Sequence, residues 1–152
     1  MARIQEKALH LCMAASRFLT AAWAFLMMAV FPLYVKDGYR GIGEGKYRFF
    51  LGTCLYCLIP AAICGGMAFL WGKGTGGIRK LLASLGNLDR AMLAYLAVSV
   101  LSWYMSVDRR QAWLGADGWY MGLLTQALLV LSYFLVARCF TWNRVILGGY
   151  LG

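Results

Sequence analysis

Long apolar stretches that contain no charged residue alternate with short polar stretches along this chain. The apolar stretches cover residues 18–35, 49–71, 91–107 and 118–137. Crossing a hydrocarbon core takes about 20 apolar residues at a rise of about 1.5 Å each, with about 17–25 as the working range. The pattern therefore predicts four membrane-spanning helices. Residues 145–152 are apolar again, and they predict the incomplete beginning of a fifth helix.

The polar stretch at the amino terminus, residues 1–17, carries Arg3, Lys7 and Arg17, and its apolar residues recur at helical spacing. This pattern is typical of a short helix that lies on a membrane surface. We therefore divide the chain into an interfacial segment on the cytoplasmic side, 1–17, and a single polytopic membrane domain, 18–152.

Glycine and proline mark the irregular positions that we expect. The polar stretch 36–48 holds four glycines, which disfavour a helix and predict a loop. Pro60 and the pair Gly65–Gly66 lie inside the second apolar stretch, where membrane helices tolerate such residues. We expect a kink near Pro60.

Composition excludes an ordinary soluble domain. The chain is 62% hydrophobic and 14% charged, with a mean hydropathy of +0.64. Soluble domains are about 45–50% apolar and about 25% charged. So few charges could not cover so much apolar surface in water. The sequence therefore predicts an all-α integral membrane protein.

The net charge of +9 comes from basic residues that all lie outside the four apolar stretches. Cytoplasmic segments of membrane proteins carry an excess of Lys and Arg. With a cytoplasmic amino terminus, the inner segments hold nine Lys and Arg and the outer loops hold six. This count places residues 36–48 and 108–117 on the outer side. Membrane lipids are the expected partners of the basic residues, and nucleic acid is not.

The sequence lacks the complete residue patterns of a transporter or ion channel, of a redox or metal site, and of a nucleotide site. The four predicted spans contain no ionisable Asp, Glu, Lys, Arg or His, which argues against a transporter or an ion channel. Cys54 and Cys57 match C-x-x-C but lack a second pair, and His10 has no partner nearby in sequence. The glycines of 72–77 lack the strand and helix of a nucleotide site. No catalytic residue, metal ligand or cofactor is predicted.

The short polar break Asp108–Asp117 carries the most specific candidate, Asp108-Arg109-Arg110. At an outer membrane surface, adjacent arginines can hold a phosphate or diphosphate through charge-assisted, bidentate hydrogen bonds. In the alternative interpretation, Asp108 caps a helix and the arginines anchor the loop among lipid head groups. Composition alone favours this alternative.

The stretch from Ser102 to Leu124 resembles the O-antigen ligase-like family of bacterial polysaccharide ligases and polymerases. In that family a helix ends in S-x-x-x-S-x-D and is followed by an Ala, a Gly and a Gly-Leu-Leu. The matching residues are Ser102, Ser106, Asp108, Ala112, Gly115, Gly122, Leu123 and Leu124. The later run Leu131–Arg138 and the first loop, from Tyr34 to Phe50, are also similar to family members.

The resemblance implies a multi-pass enzyme of the bacterial plasma (inner) membrane that transfers glycosyl chains in cell-envelope polysaccharide biosynthesis. Its substrates would be glycans linked to a lipid diphosphate such as undecaprenyl diphosphate, at the outer face. The catalytic Arg and His of the family lie in a large outer loop downstream of the matched portion. We therefore expect an amino-terminal fragment that is inactive alone and lacks downstream helices, whether a natural truncation or a gene-prediction fragment.

A second hypothesis comes from a different class of protein. The chain could be a small non-enzymatic membrane protein that assists a partner subunit through helix packing. Gly52, Gly65, Gly66 and the serines of the third apolar stretch would allow close approach of a partner helix. The sequence leaves both hypotheses open.

Overall fold

The computed structural model describes residues 2–35, 41–73, 85–116 and 119–139, and all regular secondary structure in these residues is helical. The predicted fifth helix, 145–152, lies outside them. The α-helices are α1 (Ala2–Phe25), α2 (Ile42–Thr53), α3 (Ile59–Lys73), α4 (Asn87–Met105), α5 (Arg109–Leu114) and α6 (Leu123–Cys139). Two π-helical segments, Leu26–Val30 and Cys54–Leu58, extend α1 and join α2 to α3.

Two helices in the described part of the chain are long and apolar enough to cross a membrane. They are Glu6–Val30 and Ile42–Ala68, and each includes a π-helical segment. The apolar part of α6, Leu123–Arg138, is shorter. The prediction of an all-helical chain is confirmed for these residues. Of the four predicted spans, the first two have the length and composition of membrane helices.

The first helix differs from the prediction because it has no boundary at residue 17. Helix α1 runs without interruption from Ala2 to Phe25. Lys7, His10 and Arg17 are exposed, whereas Ser16 and Thr20 on another face are buried. The charged side chains therefore project away from the packed face, and the helix continues past them.

The second helix also begins earlier than predicted. Helix α2 starts at Ile42, so the expected loop 36–48 is wrong for residues 42–48, while 36–40 lie outside the described residues. Arg48 forms an i,i+4 ion pair with Glu44 at 2.6 Å. Such a pair stabilises a helix by roughly 0.3–0.5 kcal/mol. The helix therefore forms despite the low helix propensity of its glycines, and this ion pair is one contribution to its stability.

Each π-helical segment ends two residues before a proline, and the chain has only two prolines, Pro32 and Pro60. A proline in an α-helix lacks the N–H and clashes with the carbonyl four residues earlier. The Phe31 N–H instead donates to the Leu26 carbonyl, and the Ile59 N–H donates to that of Cys54. Local π-helical turns of this kind accommodate an irregular residue. The expected irregularity at Pro60 is therefore located in Cys54–Leu58.

The core lies where α1 packs against α3, with α6 across both. Its buried apolar residues are Trp23, Phe50, Cys54, Leu58, Ala61, Leu128 and Leu135. Polar groups also hold this contact, because the Ser16 hydroxyl donates to the Ala61 carbonyl at 2.8 Å. A Cβ atom on Gly65 would lie 3.0 Å from the Ser16 Oγ, so glycine permits the close approach of the two helices.

Helix α4 packs against α6 in antiparallel orientation, and polar side chains join the two. The Tyr95 hydroxyl donates to Gln126 Oε1 at 2.6 Å. At the amino end of α4, Asp89 accepts hydrogen bonds from the Tyr133 hydroxyl at 2.8 Å and from Arg138 at 3.1 Å. The other end of this helix pair carries α5 and the loop that leads into α6.

Candidate functional site

Asp108 begins α5 as its N-cap residue. Its carboxylate oxygen Oδ1 accepts hydrogen bonds from the backbone N–H groups of Arg110 and Gln111, each at 3.1 Å. An N-cap carboxylate satisfies N–H groups that have no partner inside the helix. The capping role that the sequence offered as an alternative for Asp108 is therefore confirmed.

Arg109 and Arg110 are both exposed, but their side chains have different surroundings. The Arg109 guanidinium lies over the Tyr104 ring, 5.6 Å from its centroid, in a cation–π arrangement. Arg110 instead lines a groove together with Gln111 and Asp108. Consecutive helical residues point about 100° apart, which separates the two guanidinium groups. Of the two arginines, only Arg110 reaches this groove.

We call this groove the polar groove. It has a volume of about 500 Å³ and its floor includes Leu114 and Gly115. Two tyrosines from distant parts of the chain, Tyr47 of α2 and Tyr120, complete its wall. Arg110 supplies a fixed positive charge with several N–H donors, and Gln111 supplies an amide. The Asp108 carboxylate also lines the groove, but its Oδ1 is engaged as the cap of α5, so the Arg110 guanidinium and the Gln111 amide are the groups that can bind an anionic ligand.

Ser106 of the motif and two nearby tryptophans hold α5 in place. The Ser106 hydroxyl donates to the Asp108 carbonyl at 3.2 Å. The Trp103 indole N–H donates to the Arg109 carbonyl, also at 3.2 Å, and the rings of Trp103 and Trp113 lie 5.6 Å apart. Ala112 is half-buried and Ser102 is exposed, with no hydrogen bond shown for the Ser102 side chain.

The two motif glycines have a direct structural role. Gly115 has φ +92°, a conformation that side chains disfavour, and a Cβ there would lie 2.5 Å from the Met121 nitrogen. A Cβ on Gly122 would overlap the Trp113 carbonyl oxygen and the Gly115 nitrogen. This contact shapes the turn that carries Tyr120, which has φ +44°. Positive φ is uncommon for a residue with a side chain.

Tyr120 stacks on Tyr47, and this pair separates two grooves. The ring centroids are 4.5 Å apart and the ring planes differ by 9°. Behind the pair lies a second groove of about 470 Å³, which we call the apolar groove. It is lined mainly by apolar side chains, among them Trp23, Met27, Phe31, Phe50, Met121 and Leu129. Lys46 also lines it, and Trp119 beside it is 82% exposed.

The role of Tyr47 could not be read from the sequence. No pattern in the sequence connects it with Tyr120, 73 positions later. Its hydroxyl is buried, and the described residues provide no hydrogen-bond partner for it. The nearest signal in the sequence was that Tyr47 and Arg110 both fall in polar stretches on the same predicted side.

A second polar cluster lies at the opposite end of α4. Hydrogen bonds from the Tyr133 hydroxyl, from the Gly86 N–H and from Arg138 hold the pKa of Asp89 below its ordinary value. A carboxylate that accepts several hydrogen bonds is stabilised in its charged form. This cluster fastens α4 to α6 at the end away from the polar groove.

Comparison of this chain with protein-family models, with curated proteins and with solved structures gave no match. The assignment of a function therefore rests on the sequence motifs and on the chemistry of the two grooves.

Proposed function

We propose that this chain is the amino-terminal membrane portion of an O-antigen ligase-like glycan ligase or polymerase. It would contribute a docking surface for a lipid-diphosphate-linked glycan, such as one carried on undecaprenyl diphosphate. The catalytic Arg and His of the family lie outside the motifs matched here, so the chain would be inactive alone. The reaction of the whole enzyme would be glycosyl transfer at the outer face of the bacterial plasma membrane.

The observation that carries the proposal is the arrangement of the two grooves. Arg110 lines the polar groove, the apolar groove lies next to it, and the pair Tyr47–Tyr120 belongs to both. A lipid diphosphate has a compact, highly charged head joined to a long apolar chain. Guanidinium groups bind phosphate through charge-assisted hydrogen bonds, and an apolar groove favours a hydrocarbon chain.

Three of the motif residues support the same interpretation because they hold the parts of the chain that line the polar groove. Asp108 caps the short helix that carries Arg110, and Gly115 and Gly122 form the turn that carries Tyr120. The residues on which the resemblance depends are thus gathered at one end of the helices. Their roles in capping and in close backbone contact explain why these residue types are needed.

The proposal includes a topology with four membrane spans and a cytoplasmic amino terminus. The excess of Lys and Arg in the predicted inner segments favours this orientation. The polar groove would then open toward the outer side, and Asp89 and Arg138 would lie toward the cytoplasm. A single cysteine introduced at Arg109 should react with a membrane-impermeant maleimide in intact cells, whereas one at Arg90 should not. The opposite labelling pattern would contradict the orientation.

The functional test uses a full-length relative in which the residue equivalent to Arg110 is changed to Glu. We expect transfer from a lipid-diphosphate-linked glycan to fall about tenfold or more, because charge-assisted hydrogen bonds contribute about 1.5–3 kcal/mol. The matched control is charge reversal at the position of Arg48, whose exposed side chain pairs with Glu44. We expect this control to change transfer by less than about twofold. Unchanged transfer after the Arg110 substitution would contradict the docking role.

A second candidate function, a non-enzymatic partner protein, is favoured by one observation. A Cβ atom on Gly66 or on Gly52 would have no atom of the described residues within 4 Å, so nothing in the described part of the chain covers these glycines, and another helix could approach them. Gly65, in contrast, is used inside the chain against Ser16. Genomic DNA read past codon 152 separates the two functions. An in-frame continuation with further apolar stretches and a large polar loop supports the ligase, and a stop codon with no such frame downstream supports the partner protein.

A further inference from the structure

The buried hydroxyl of Tyr47 has no hydrogen-bond partner among the described residues. Buried hydroxyls nearly always have a partner, because an unpaired one has lost its hydrogen bonds to water without compensation. Tyr47 also lines the polar groove, beside Arg110 and Gln111. The hydroxyl itself is buried, so an anion in that groove would present oxygen acceptors to it only after a neighbouring group has moved aside.

Tyr120 lies flat against the ring of Tyr47, at a centroid distance of 4.5 Å. Its backbone has φ +44°, and such a conformation in a residue with a side chain stores strain. The conformation is imposed by the contact between Gly115 and Gly122 and by the Thr125 hydroxyl, which donates to the Tyr120 carbonyl at 2.7 Å. Movement of Tyr120 away from Tyr47 would release this strain and uncover the wall of the groove.

We propose that the Tyr47 hydroxyl is a second anion-binding group of the polar groove and that Tyr120 is its movable cover. In the bound state Tyr47 donates to a phosphate oxygen of the ligand that Arg110 also binds. The inference rests on the proposed function in one respect, since it takes a diphosphate as the anion. It adds two residues that the sequence motif does not include.

The diphosphate could be free in solution or linked to a lipid, and both forms present the same oxygen acceptors. Only the lipid-linked form would also occupy the apolar groove behind the tyrosine pair. Geranylgeranyl diphosphate and inorganic diphosphate therefore serve as two probes with a common head. Tighter binding of the first identifies the lipid-linked source, and equal binding identifies the free anion.

The experiment measures the affinity of both probes for the full chain in nanodiscs of phosphatidylcholine. The variants are Tyr47→Phe, which removes only the hydroxyl, Tyr120→Gly, which removes the cover and relieves the strain, and the double variant. Arg110→Gln tests whether the polar groove binds the anion at all. Helix content by circular dichroism and the unfolding midpoint confirm that each variant is folded.

We expect Tyr47→Phe to weaken binding of both probes by about tenfold, as for the loss of one hydrogen bond to a charged group. Tyr120→Gly should strengthen binding of inorganic diphosphate by about threefold or more, because no ring then has to move away from Tyr47 before the anion binds. The double variant should not show this increase in affinity for inorganic diphosphate, because it lacks the Tyr47 hydroxyl. If Arg110→Gln weakens binding and Tyr47→Phe does not, this inference is wrong and the docking function stands. If neither substitution has an effect, both fail.

Discussion

Gly115 and Gly122 are in direct backbone contact, and a Cβ atom added to Gly122 would overlap the Gly115 nitrogen. The neighbouring atoms are backbone atoms of residues 113–115 and 120–121, which cannot turn aside as the end of a side chain can. Gly115 also has φ +92°. The contact therefore requires glycine at both positions, and the position of Tyr120 in the groove wall depends on it.

Gly122→Ala should destabilise the chain by roughly 1–3 kcal/mol, because the added methyl group has no space. Gly66→Ala is the matched control, since Gly66 lies inside α3 and no atom of the described residues comes within 4 Å of the added Cβ. The control should be neutral or stabilising by up to about 1 kcal/mol. Unfolding of the purified chain in mixed micelles, titrated with a denaturing detergent, measures both. Equal stability of the two variants would show that the tight contact is not present.

Asp108→Ala should cost about 1 kcal/mol of stability, because two N–H groups at the start of α5 lose their acceptor. Asp108→Asn keeps an acceptor oxygen and should restore most of this loss. The two variants also separate the cap from a role in ligand binding. If the asparagine variant keeps full stability but binds diphosphate with changed affinity, then the charge of Asp108 acts on the ligand as well.

The cluster around Asp89 should make stability depend on acid pH. The pKa of Asp89 is lowered in the folded chain, so the folded state favours the charged carboxylate. Its stabilising contribution is present above the ordinary aspartate pKa of about 3.9 and is lost as the pH falls through the lowered pKa. Unfolding curves between about pH 7 and pH 2.5 should show this loss.

Asp89→Asn should be less stable than the native chain near neutral pH and should lose this part of the pH dependence. Glu44→Gln is the control, because Glu44 takes part in an exposed ion pair with Arg48. Such pairs contribute little to stability. An Asp89→Asn chain with the native pH profile would show that the hydrogen bonds to Asp89 do not stabilise the fold.

The helical class and the first two long apolar helices were predictable, because the length of a charge-free stretch directly limits what it can cross. The ends of those helices were not predictable from the sequence. Arg17 and Lys7 suggested a boundary, but their side chains project away from the packed face of a continuous helix. The glycines of residues 42–48 suggested a loop, although packing and an ion pair extend α2 through them.

The site was predictable only in part. The motif identified Asp108 and the two glycines, and the charge pattern of the polar break identified Arg110. The capping alternative for Asp108 followed from residue type and position alone. The separation of Arg109 from Arg110 depends on where each side chain meets its neighbours, Tyr104 for one and the polar groove for the other. The stacking of Tyr47 on Tyr120 joins distant parts of the chain, and no local pattern encodes it.

The most direct test of the central claim is whether the chain retains a lipid diphosphate. The full chain is purified from bacterial membranes in mild detergent and its bound lipids are identified by native mass spectrometry. We expect a polyprenyl-diphosphate species bound to the native chain and to Arg48→Glu, and its loss from Arg110→Glu. Absence of any lipid diphosphate from the native chain, or equal retention by Arg110→Glu, would contradict the proposed docking function.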